Sequence, residues 1–268
     1  MAARRRLDVE LVRRDLAQSR ARARELVESG RVTVGGAPAL KPTRMVDPGE
    51  AILVAGDGPR YVSRAGEKLA AALDNFGVSP AGRRVIDVGS STGGFTDCCL
   101  QRGATEVVAI DVGRNQLHEK LRADERVLVH EQTNARHVDP AKVGGPGSLL
   151  VADLSFISLR TVAHKLMELT DSDGEMVVLV KPQFEAGKAE ADKGRGVIRD
   201  PVVWRSTLES AATALVEAGG AIMGAMVSPI TGGDGNVEFL LHVHRGLDSS
   251  VEYEPLFDRV VDSARPAK

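Results

Sequence analysis

One stretch, residues 85–96, constrains the fold of this chain more than any other. It starts with a short apolar run around Asp87 that predicts a buried strand, continues through a glycine-rich turn, and opens a helix near Phe95. A strand, a glycine turn and a helix in this order bind nucleotide-like ligands at the carboxyl edge of a parallel sheet. Glycine is needed in such a turn because a Cβ atom would keep the backbone away from the ligand.

The spacing of the glycines narrows the choice of ligand. Gly89, Gly93 and Gly94 match neither the dinucleotide fingerprint nor a phosphate-binding loop that ends in Gly-Lys-Ser/Thr. A turn without a cation suits S-adenosylmethionine, which carries no phosphate. Asp111 ends the next predicted strand, where a carboxylate can bind both ribose hydroxyls of an adenosine. The alternative is an ordinary strand-to-helix turn.

We therefore predict S-adenosylmethionine as the cofactor. The predicted contacts are the turn itself, the acid that ends the second strand and two residues after a later strand: Asp87, Gly89, Ser90, Ser91, Thr92, Gly93, Gly94, Phe95, Asp111, Asp153 and Phe156. For Phe156 three environments stay open, namely the adenine, the base of a nucleic-acid substrate and the protein core.

Strands and helices alternate from Arg84 onward, which predicts an α/β fold with a doubly wound parallel sheet. The predicted strands are 84–88, 106–111, 127–131, 149–153, 175–181, 222–227 and 237–243. Helices are predicted to open near residue 95 and to cover 114–123, 158–169 and 201–217. Seven strands that end in an antiparallel pair are the usual architecture of a Rossmann-like class I methyltransferase domain.

Composition excludes several classes of protein. The only cysteines, Cys98 and Cys99, are neighbours and form neither a disulfide framework nor a zinc site, so we predict no metal. No apolar run reaches the length of a membrane span, and no hydrophobic signal core follows the basic start. These features predict a cytoplasmic protein without a membrane partner.

The first part of the chain is basic and has the pattern of a small α+β domain. Residues 1–62 hold 12 Lys and Arg against 8 Asp and Glu, whereas the remainder holds 23 against 29. This balance favours a module that binds a polyanion over a solvated surface without a partner. Ser19 is the expected N-cap of a helix over 20–29, and Gly30 occupies the expected C′ position.

The run from Ser19 to Gly36, followed by Asp-Pro-Gly-Glu at 47–50, resembles the S4-like RNA-binding domain. Arginines around its second helix suit the phosphates of a folded RNA, although a domain for protein contacts is the alternative. The predicted RNA-binding residues are Arg4, Arg6, Arg20, Arg22, Arg24, Arg31, Lys41, Arg64, Arg136 and Lys188. For Arg136 and the loop of Lys188, an idle surface position stays open.

Two charged residues, Asp153 and Lys181, end apolar strands on the predicted cofactor side. Burial of such charges is costly unless they are paired or functional, and a structural ion pair is the alternative. With Lys68 and Glu238 they resemble the Lys-Asp-Lys-Glu tetrad of ribose 2′-O-methyltransferases. The resemblance implies that Lys181 takes the proton of a ribose hydroxyl while Lys68 steadies the oxyanion. It also implies that Asp153 orients Lys181 and faces the methyl group, and that Glu238 orients Lys68 or the ribose.

Four motifs extend the resemblance to the TlyA family, in which an S4-like head precedes an FtsJ-type methyltransferase domain. They lie at 61–69, 87–96, 152–159 and 179–185. The resemblance implies 2′-O-methylation of cytidine in 16S rRNA, 23S rRNA or both, and hence susceptibility to capreomycin and viomycin. The implied division is an RNA-binding domain at 1–58, a linker at 59–64 and a methyltransferase domain at 65–268.

Two other functions stay open at the level of the sequence. The family is also labelled haemolysin, but the sequence lacks a spanning helix, barrel hairpins and a signal peptide. An RNA-binding assembly factor without catalysis would have no need of the intact tetrad and glycine turn. The sequence leaves open which nucleotide is modified, in the 30S or the 50S subunit or both, and in free or assembled rRNA. We expect a monomer.

Overall fold

The computed structural model describes residues 4–265 apart from 15, 18, 56–59, 188–189, 191–192, 195 and 248–252. The chain divides into two compact units, Met1–Ser63 and Arg64–Lys268, each with its own hydrophobic core. Lys188, a predicted RNA-binding residue, lies outside the described residues, as does Pro59 at the start of the predicted linker. Within the described parts of the chain, no helix is long and apolar enough to cross a membrane.

The small unit contains two helices and two short antiparallel sheets. Its elements are β1 (Arg5–Arg6), α1 (Leu7–Arg13), α2 (Arg20–Glu28), β2 (Val32–Val34), β3 (Ala37–Pro38), β4 (Met45–Val46) and β5 (Ile52–Val54). β1 pairs with β4, and β2 lies between β3 and β5. The Ser19 hydroxyl accepts a hydrogen bond from the Arg22 amide, and Gly30 follows α2 in the left-handed conformation. Both predicted end signals of this helix are therefore confirmed.

The large unit is built on a seven-stranded sheet. Its strands are β6 (Arg84–Val88), β7 (Glu106–Ile110), β8 (Val127–His130), β9 (Gly147–Ala152), β10 (Thr170–Val180), β11 (Gly220–Val227) and β12 (Phe239–Arg245). The strand order is β11-β12-β10-β9-β6-β7-β8, and β12 runs antiparallel to both of its neighbours. The predicted α/β fold, with its doubly wound sheet and closing antiparallel pair, is confirmed.

Helices connect these strands. They are α3 (Ala65–Phe76), α4 (Gly94–Gln101), α5 (Glu119–Arg122), α6 (Leu159–Glu168), α7 (Pro182–Glu185), α8 (Pro201–Glu217) and α9 (Tyr253–Ser263). Two elements differ from the prediction. α5 is a single turn because the residues before it form an irregular loop, and β10 begins five residues early, with a register shift between Thr170 and Glu175.

The direction of the chain through the sheet reverses beside β6. From β6 the chain moves outward to β7 and β8, and then returns to place β9 on the other side of β6. In an open α/β sheet, ligands bind in the crevice outside the carboxyl ends of the strands at such a switch point. We therefore expect a ligand site at the carboxyl ends of β6 and β9, which are followed by the glycine turn and by Asp153.

Candidate active site

The turn between β6 and α4 requires glycine at two positions. Gly89 has φ +86°, and a Cβ added there would lie 2.6 Å from the carbonyl oxygen of Asp153. Gly93 has φ +99°, and a Cβ there would overlap the side chain of Leu121. A side chain at either position would meet both backbone strain and a steric clash. The glycines therefore let the turn pass directly beside the end of β9.

Asp111 follows β7 and connects two loops at this edge of the sheet. Its Oδ2 accepts a hydrogen bond from the Ser91 amide at 2.8 Å, and its Oδ1 accepts one from the Gly113 amide at 2.7 Å. A carboxylate offers about four acceptor sites, so two remain for a ligand. The carboxylate thus has the position and the acceptor capacity to bind a pair of ribose hydroxyls.

A cavity of about 540 Å³ opens at this edge of the sheet. Its lining includes five of the predicted cofactor residues and one predicted RNA-binding residue: Gly89, Ser91, Asp111, Asp153, Phe156 and Arg136. The volume lies within the roughly 300–1,000 Å³ that is typical of small-molecule sites. The predicted residues that are not among its described lining residues are Asp87, Ser90, Thr92, Gly93, Gly94 and Phe95.

Asp87 lies beneath the turn rather than in the cavity wall. Its side chain is fully buried, and its Oδ2 accepts a hydrogen bond from the Thr96 hydroxyl at 2.6 Å. Burial raises the pKa of Asp87 to about 7, and the negative charge of Asp153 adds to this effect. The hydrogen bond ties the end of β6 to the first turn of α4, so Asp87 supports the shape of the glycine turn.

Glu131, which the sequence analysis did not single out, holds the loop on the Asp111 side of the cavity. Its carboxylate accepts from the backbone amides of Asn115 and Gln116 at 2.8 and 3.0 Å and from the Arg122 guanidinium at 2.6 Å. These bonds, the Asn115 amide first, lower the pKa of Glu131 to about 2. The sequence did offer a signal for this residue, because Glu131 is an acid that directly follows the strand β8.

Lys181 and Asp153 form an ion pair at the ends of β10 and β9. The Nζ atom of Lys181 lies 2.5 Å from Asp153 Oδ1 and donates a hydrogen bond to the Ser155 hydroxyl at 2.9 Å. The same ammonium stands over the ring of Phe184, 5.8 Å from its centroid. Because Asp153 also lines the cavity, the cation of Lys181 lies one side chain away from the predicted cofactor.

Lys68 and Glu238 form a second ion pair, and both side chains are buried. Lys68 lies on α3, and Glu238 immediately precedes β12. Val180 pairs with Phe239 across the antiparallel strands β10 and β12. Lys181 and Glu238 are therefore the next residues along their strands at the same edge of the sheet. The four residues of the predicted tetrad form two ion pairs at this edge.

Phe156 extends from the loop after β9 beside these pairs. It is 90% exposed and has φ +64°, an unfavourable conformation for a bulky residue. Its ring packs against Phe184 with centroids 5.1 Å apart. The buried Glu185 holds the same loop by accepting from the Leu159 amide at 2.8 Å and from Ser158, and burial raises the pKa of Glu185. The exposure excludes a core position for Phe156.

Comparison with known proteins identifies the family. A family model described as FtsJ-like methyltransferase matches residues 61–245, and one described as S4 domain matches residues 5–52. The chain belongs to the FtsJ-like methyltransferase family. Its similarity to individual members of that family extends over nearly the whole length of the chain.

Three relatives illustrate this similarity. The 16S/23S rRNA (cytidine-2′-O)-methyltransferase TlyA of Mycobacterium tuberculosis is 46% identical over 97% of this chain and 97% of its own length. Hemolysin A of Brachyspira hyodysenteriae is 37% identical over 88% of this chain and 98% of its own. A solved structure from Streptococcus thermophilus, described as a candidate hemolysin, has 38% identity and a TM-score of 0.78, covering 98% of this chain and 96% of its own. The predicted TlyA-type membership within the FtsJ-like family is confirmed.

The predicted RNA-binding residues of this FtsJ-like chain differ in their surroundings. Arg4 pairs with Asp47, Arg22 with Glu25, and Arg31 donates to the Ala55 carbonyl. Lys41 and Arg64 are exposed, and Arg136 is exposed at the cavity. The remaining three, Arg6, Arg20 and Arg24, converge on one buried acid, Asp8, which the sequence analysis did not consider.

Proposed function

We propose that this chain is an S-adenosylmethionine-dependent methyltransferase that modifies the 2′-hydroxyl of cytidine in ribosomal RNA. The observation that carries the proposal is the double ion pair of Lys68, Asp153, Lys181 and Glu238 beside the cavity. The name of the Mycobacterium tuberculosis relative supports the same substrate. Through this modification the protein confers susceptibility to capreomycin and viomycin.

The residues around the cavity suit S-adenosylmethionine. The carboxylate of Asp111 accepts the ribose hydroxyls with the oxygen lone pairs that its two backbone bonds leave over. The backbone at Gly89 approaches the ligand without a side chain, and the turn presents no cation that would demand a phosphate. The cofactor, when bound, supplies an electrophilic methyl group on a sulfonium centre.

Lys181 acts as the general base. A ribose hydroxyl is a poor nucleophile, and it becomes a good one as its proton passes to the Nζ atom of a neutral Lys181. Asp153 and Ser155 contact Nζ and so orient it toward the hydroxyl. Asp153 also lines the cavity, so the same carboxylate would face a methyl donor bound there.

Lys68 acts beside the base. The ammonium group of Lys68 stabilises the negative charge that develops on the ribose oxygen. Glu238 holds Lys68 in place through the buried ion pair. The tetrad therefore supplies one proton acceptor, one cation for the developing charge and one orienting carboxylate for each lysine.

The small unit binds the RNA. We assign residues 1–58 to an S4-like RNA-binding domain, 59–64 to a linker and 65–268 to the methyltransferase domain, which acts on ribosomal subunits in the cytoplasm. The match of the S4 family model and the basic composition of the first 62 residues support this assignment. A duplex or folded RNA presents its 2′-hydroxyl to the tetrad only after the target nucleotide leaves its stack.

The test is transfer of tritium from methyl-labelled S-adenosylmethionine to purified 30S and 50S subunits. We expect label in RNA from the wild-type protein and from Lys165→Ala, a control that removes a surface lysine paired with Glu168. Lys181→Ala and Lys181→Arg should abolish transfer and retain cofactor binding, because arginine keeps the charge but releases no proton at neutral pH. Label in neither subunit, from protein that binds the cofactor, would disprove the substrate. Near-normal transfer by Lys181→Arg would disprove the base.

A further inference from the structure

The small unit contains a carboxylate that no aspect of the methyl transfer explains. Asp8, on α1, is fully buried, yet its oxygens meet three arginines. Arg6 donates to both oxygens at 2.9 Å, Arg20 donates to Oδ2 at 3.2 Å, and Arg24 Nε lies 3.6 Å from Oδ2. The hydrogen bond from Arg6 is the main reason why the pKa of Asp8 lies well below its ordinary range. Asp8 is thus an ionised anchor at neutral pH.

The three guanidinium groups reach the surface even though their anchor does not. The side chains of Arg6, Arg20 and Arg24 are 38%, 55% and 53% exposed. Within the described residues, Arg20 and Arg24 each contact Asp8 through a single nitrogen, so most of their donors face solvent. Three positive charges around one negative charge leave an excess of two on this surface.

A neighbouring cluster in this unit includes an arginine with a structural role. Glu10 is also buried and meets Arg13 and Arg14 at 2.6 and 2.8 Å, and Arg5 lies 3.8 Å away. Arg14, however, also donates hydrogen bonds to the backbone carbonyls of Glu50 and Pro48, at 2.7 and 2.8 Å. It therefore ties α1 to the loop before β5 and keeps few donors for a ligand. The arginines around Asp8 have no comparable backbone bonds among the described residues.

We propose that Asp8 organises Arg6, Arg20 and Arg24 into a single phosphate-binding site for the RNA backbone, and that Asp8 is a positioning residue for RNA recognition. The inference rests on the proposed RNA substrate and deepens it. The two bonds from Arg6 fix the plane of its guanidinium, and the single contacts of Arg20 and Arg24 restrict where their groups can lie, so less entropy is lost when the three groups bind phosphate oxygens. The free oxygens of adjacent phosphates are the acceptors that this excess of donors fits.

The proposal makes a prediction that runs against simple charge counting. Asp8→Asn raises the net charge of the small unit by one. If the arginines attract RNA only through their charge, the variant should bind RNA more tightly and with a steeper dependence on salt. If Asp8 positions them, the variant should bind about 10-fold more weakly, with a shallower salt dependence, because phosphate contacts are lost.

The experiment measures binding of the full-length protein to purified 50S and 30S subunits and to poly(U), at several salt concentrations. Glu28→Gln is the matched control, because it makes the same change of charge at an exposed position on α2 outside the cluster. It should bind as tightly as the wild type or slightly more tightly. In methyl-transfer assays Asp8→Asn should raise the KM for the subunit and leave kcat unchanged, whereas partial unfolding would reduce the active fraction and with it the apparent kcat.

A second pair of variants keeps the inference testable if Asp8→Asn does not fold. Arg20→Lys preserves the charge but loses the planar fork, and Arg44→Lys makes the same change in the small unit at a residue that pairs with Glu50 outside the cluster. We expect weaker binding for Arg20→Lys and unchanged binding for Arg44→Lys. Equal binding of these two variants, or undiminished binding by folded Asp8→Asn, would overturn the inference. Wild-type protein that binds poly(U) but neither subunit would overturn the proposed substrate while leaving the Asp8 test intact.

Discussion

Asp87 in the large unit and Glu10 in the small unit are both buried carboxylates, yet they hold their protons over very different ranges of pH. Asp87 has a hydroxyl group, Thr96, as its neighbour, and burial raises its pKa to about 7. Glu10 lies between arginines, and their hydrogen bonds, Arg13 first, lower its pKa to about 2. Burial alone therefore does not decide the charge of an acid; the cations that the fold brings to it do.

The tetrad pairs its carboxylates in a third way. Asp153 and Glu238 each contact one lysine, so these four residues carry equal numbers of positive and negative charges. In the small unit Asp8 receives three arginines and keeps an excess of positive charge at the surface. The two clusters therefore differ in their local balance of charge, which is neutral in the tetrad and positive around Asp8.

Removing one carboxylate from the tetrad should have the largest effect. Glu238→Gln leaves the ammonium of Lys68 buried without its partner, which we expect to cost about 3–5 kcal/mol of unfolding free energy. Methyl transfer should fall by about 100-fold or more. The double variant Lys68→Gln/Glu238→Gln should regain much of the stability but none of the activity, as measured by denaturant unfolding and tritium transfer. Recovery of activity in the double variant would show that the pair is only structural.

The proton on Asp87 should give the large unit an unusual dependence on pH. Its pKa is about 7 in the folded protein and 3.8 ordinarily, so its stabilising effect is complete below pH 3.8 and is lost as the pH rises through 7. Asp87→Asn mimics the neutral acid. Between pH 5 and 7 the wild type should lose about 1.4 kcal/mol per pH unit relative to this variant, measured by denaturant unfolding. Parallel pH curves would show that Asp87 is ionised throughout.

Glu10 should act with the opposite sign in the small unit. Its pKa is about 2 when folded and 4.5 ordinarily, so its contribution is complete above pH 4.5 and is lost as the pH falls through 2. At neutral pH, Glu10→Gln should lower the melting temperature of the small unit by about 4–8 °C, since it leaves arginines without their anchor. Hydrogen exchange of the small-unit amides reports this separately from the large unit. If Glu10→Gln is as stable as the wild type, Glu10 does not stabilise the small unit, and the proposed difference between the Glu10 cluster and the Asp8 cluster is lost.

The smallest effect is expected at Arg22. Its guanidinium pairs with Glu25 one helical turn away, and both side chains are exposed. Arg22→Gln should change the unfolding free energy by less than about 0.5 kcal/mol, because exposed ion pairs contribute little. A large loss of stability, detected by thermal denaturation, would mean that the arginines of α2 are equivalent and that the Asp8 cluster is not special.

Much of the fold follows from local patterns in the sequence. The apolar runs that became β6 and β7 are short, continuous and bounded by glycine, so their strands are predictable to within a residue. The early start of β10 was not predictable, because its first residues are polar and follow their neighbour β9 with a shifted register. α5 was overestimated because Glu131, well beyond it in the chain, holds the preceding amides in a loop.

The site is predictable only in part, because some of its contacts join residues that are distant in the sequence. The glycine turn and Asp111 are local signals, whereas the proximity of Glu238 to Lys181 depends on the register between β10 and β12. Spacing along the chain does not reveal that register, so the tetrad depended on a family resemblance. The role of Asp8 was hidden because arginines read one at a time are indistinguishable from solvated surface charges, and only helix packing shows which acid they share.

The position of the antiparallel strand β12 has a consequence for the assembly of the large unit. It is the last of the seven strands in chain order, yet it lies between β10 and β11 and is preceded by Glu238. Because β11 pairs in this sheet with β12 alone, a chain that stops before Glu238 would leave β11 without a neighbouring strand and Lys68 without its carboxylate. The last strand therefore joins the outermost strand to the parallel part of the sheet and also completes the second ion pair.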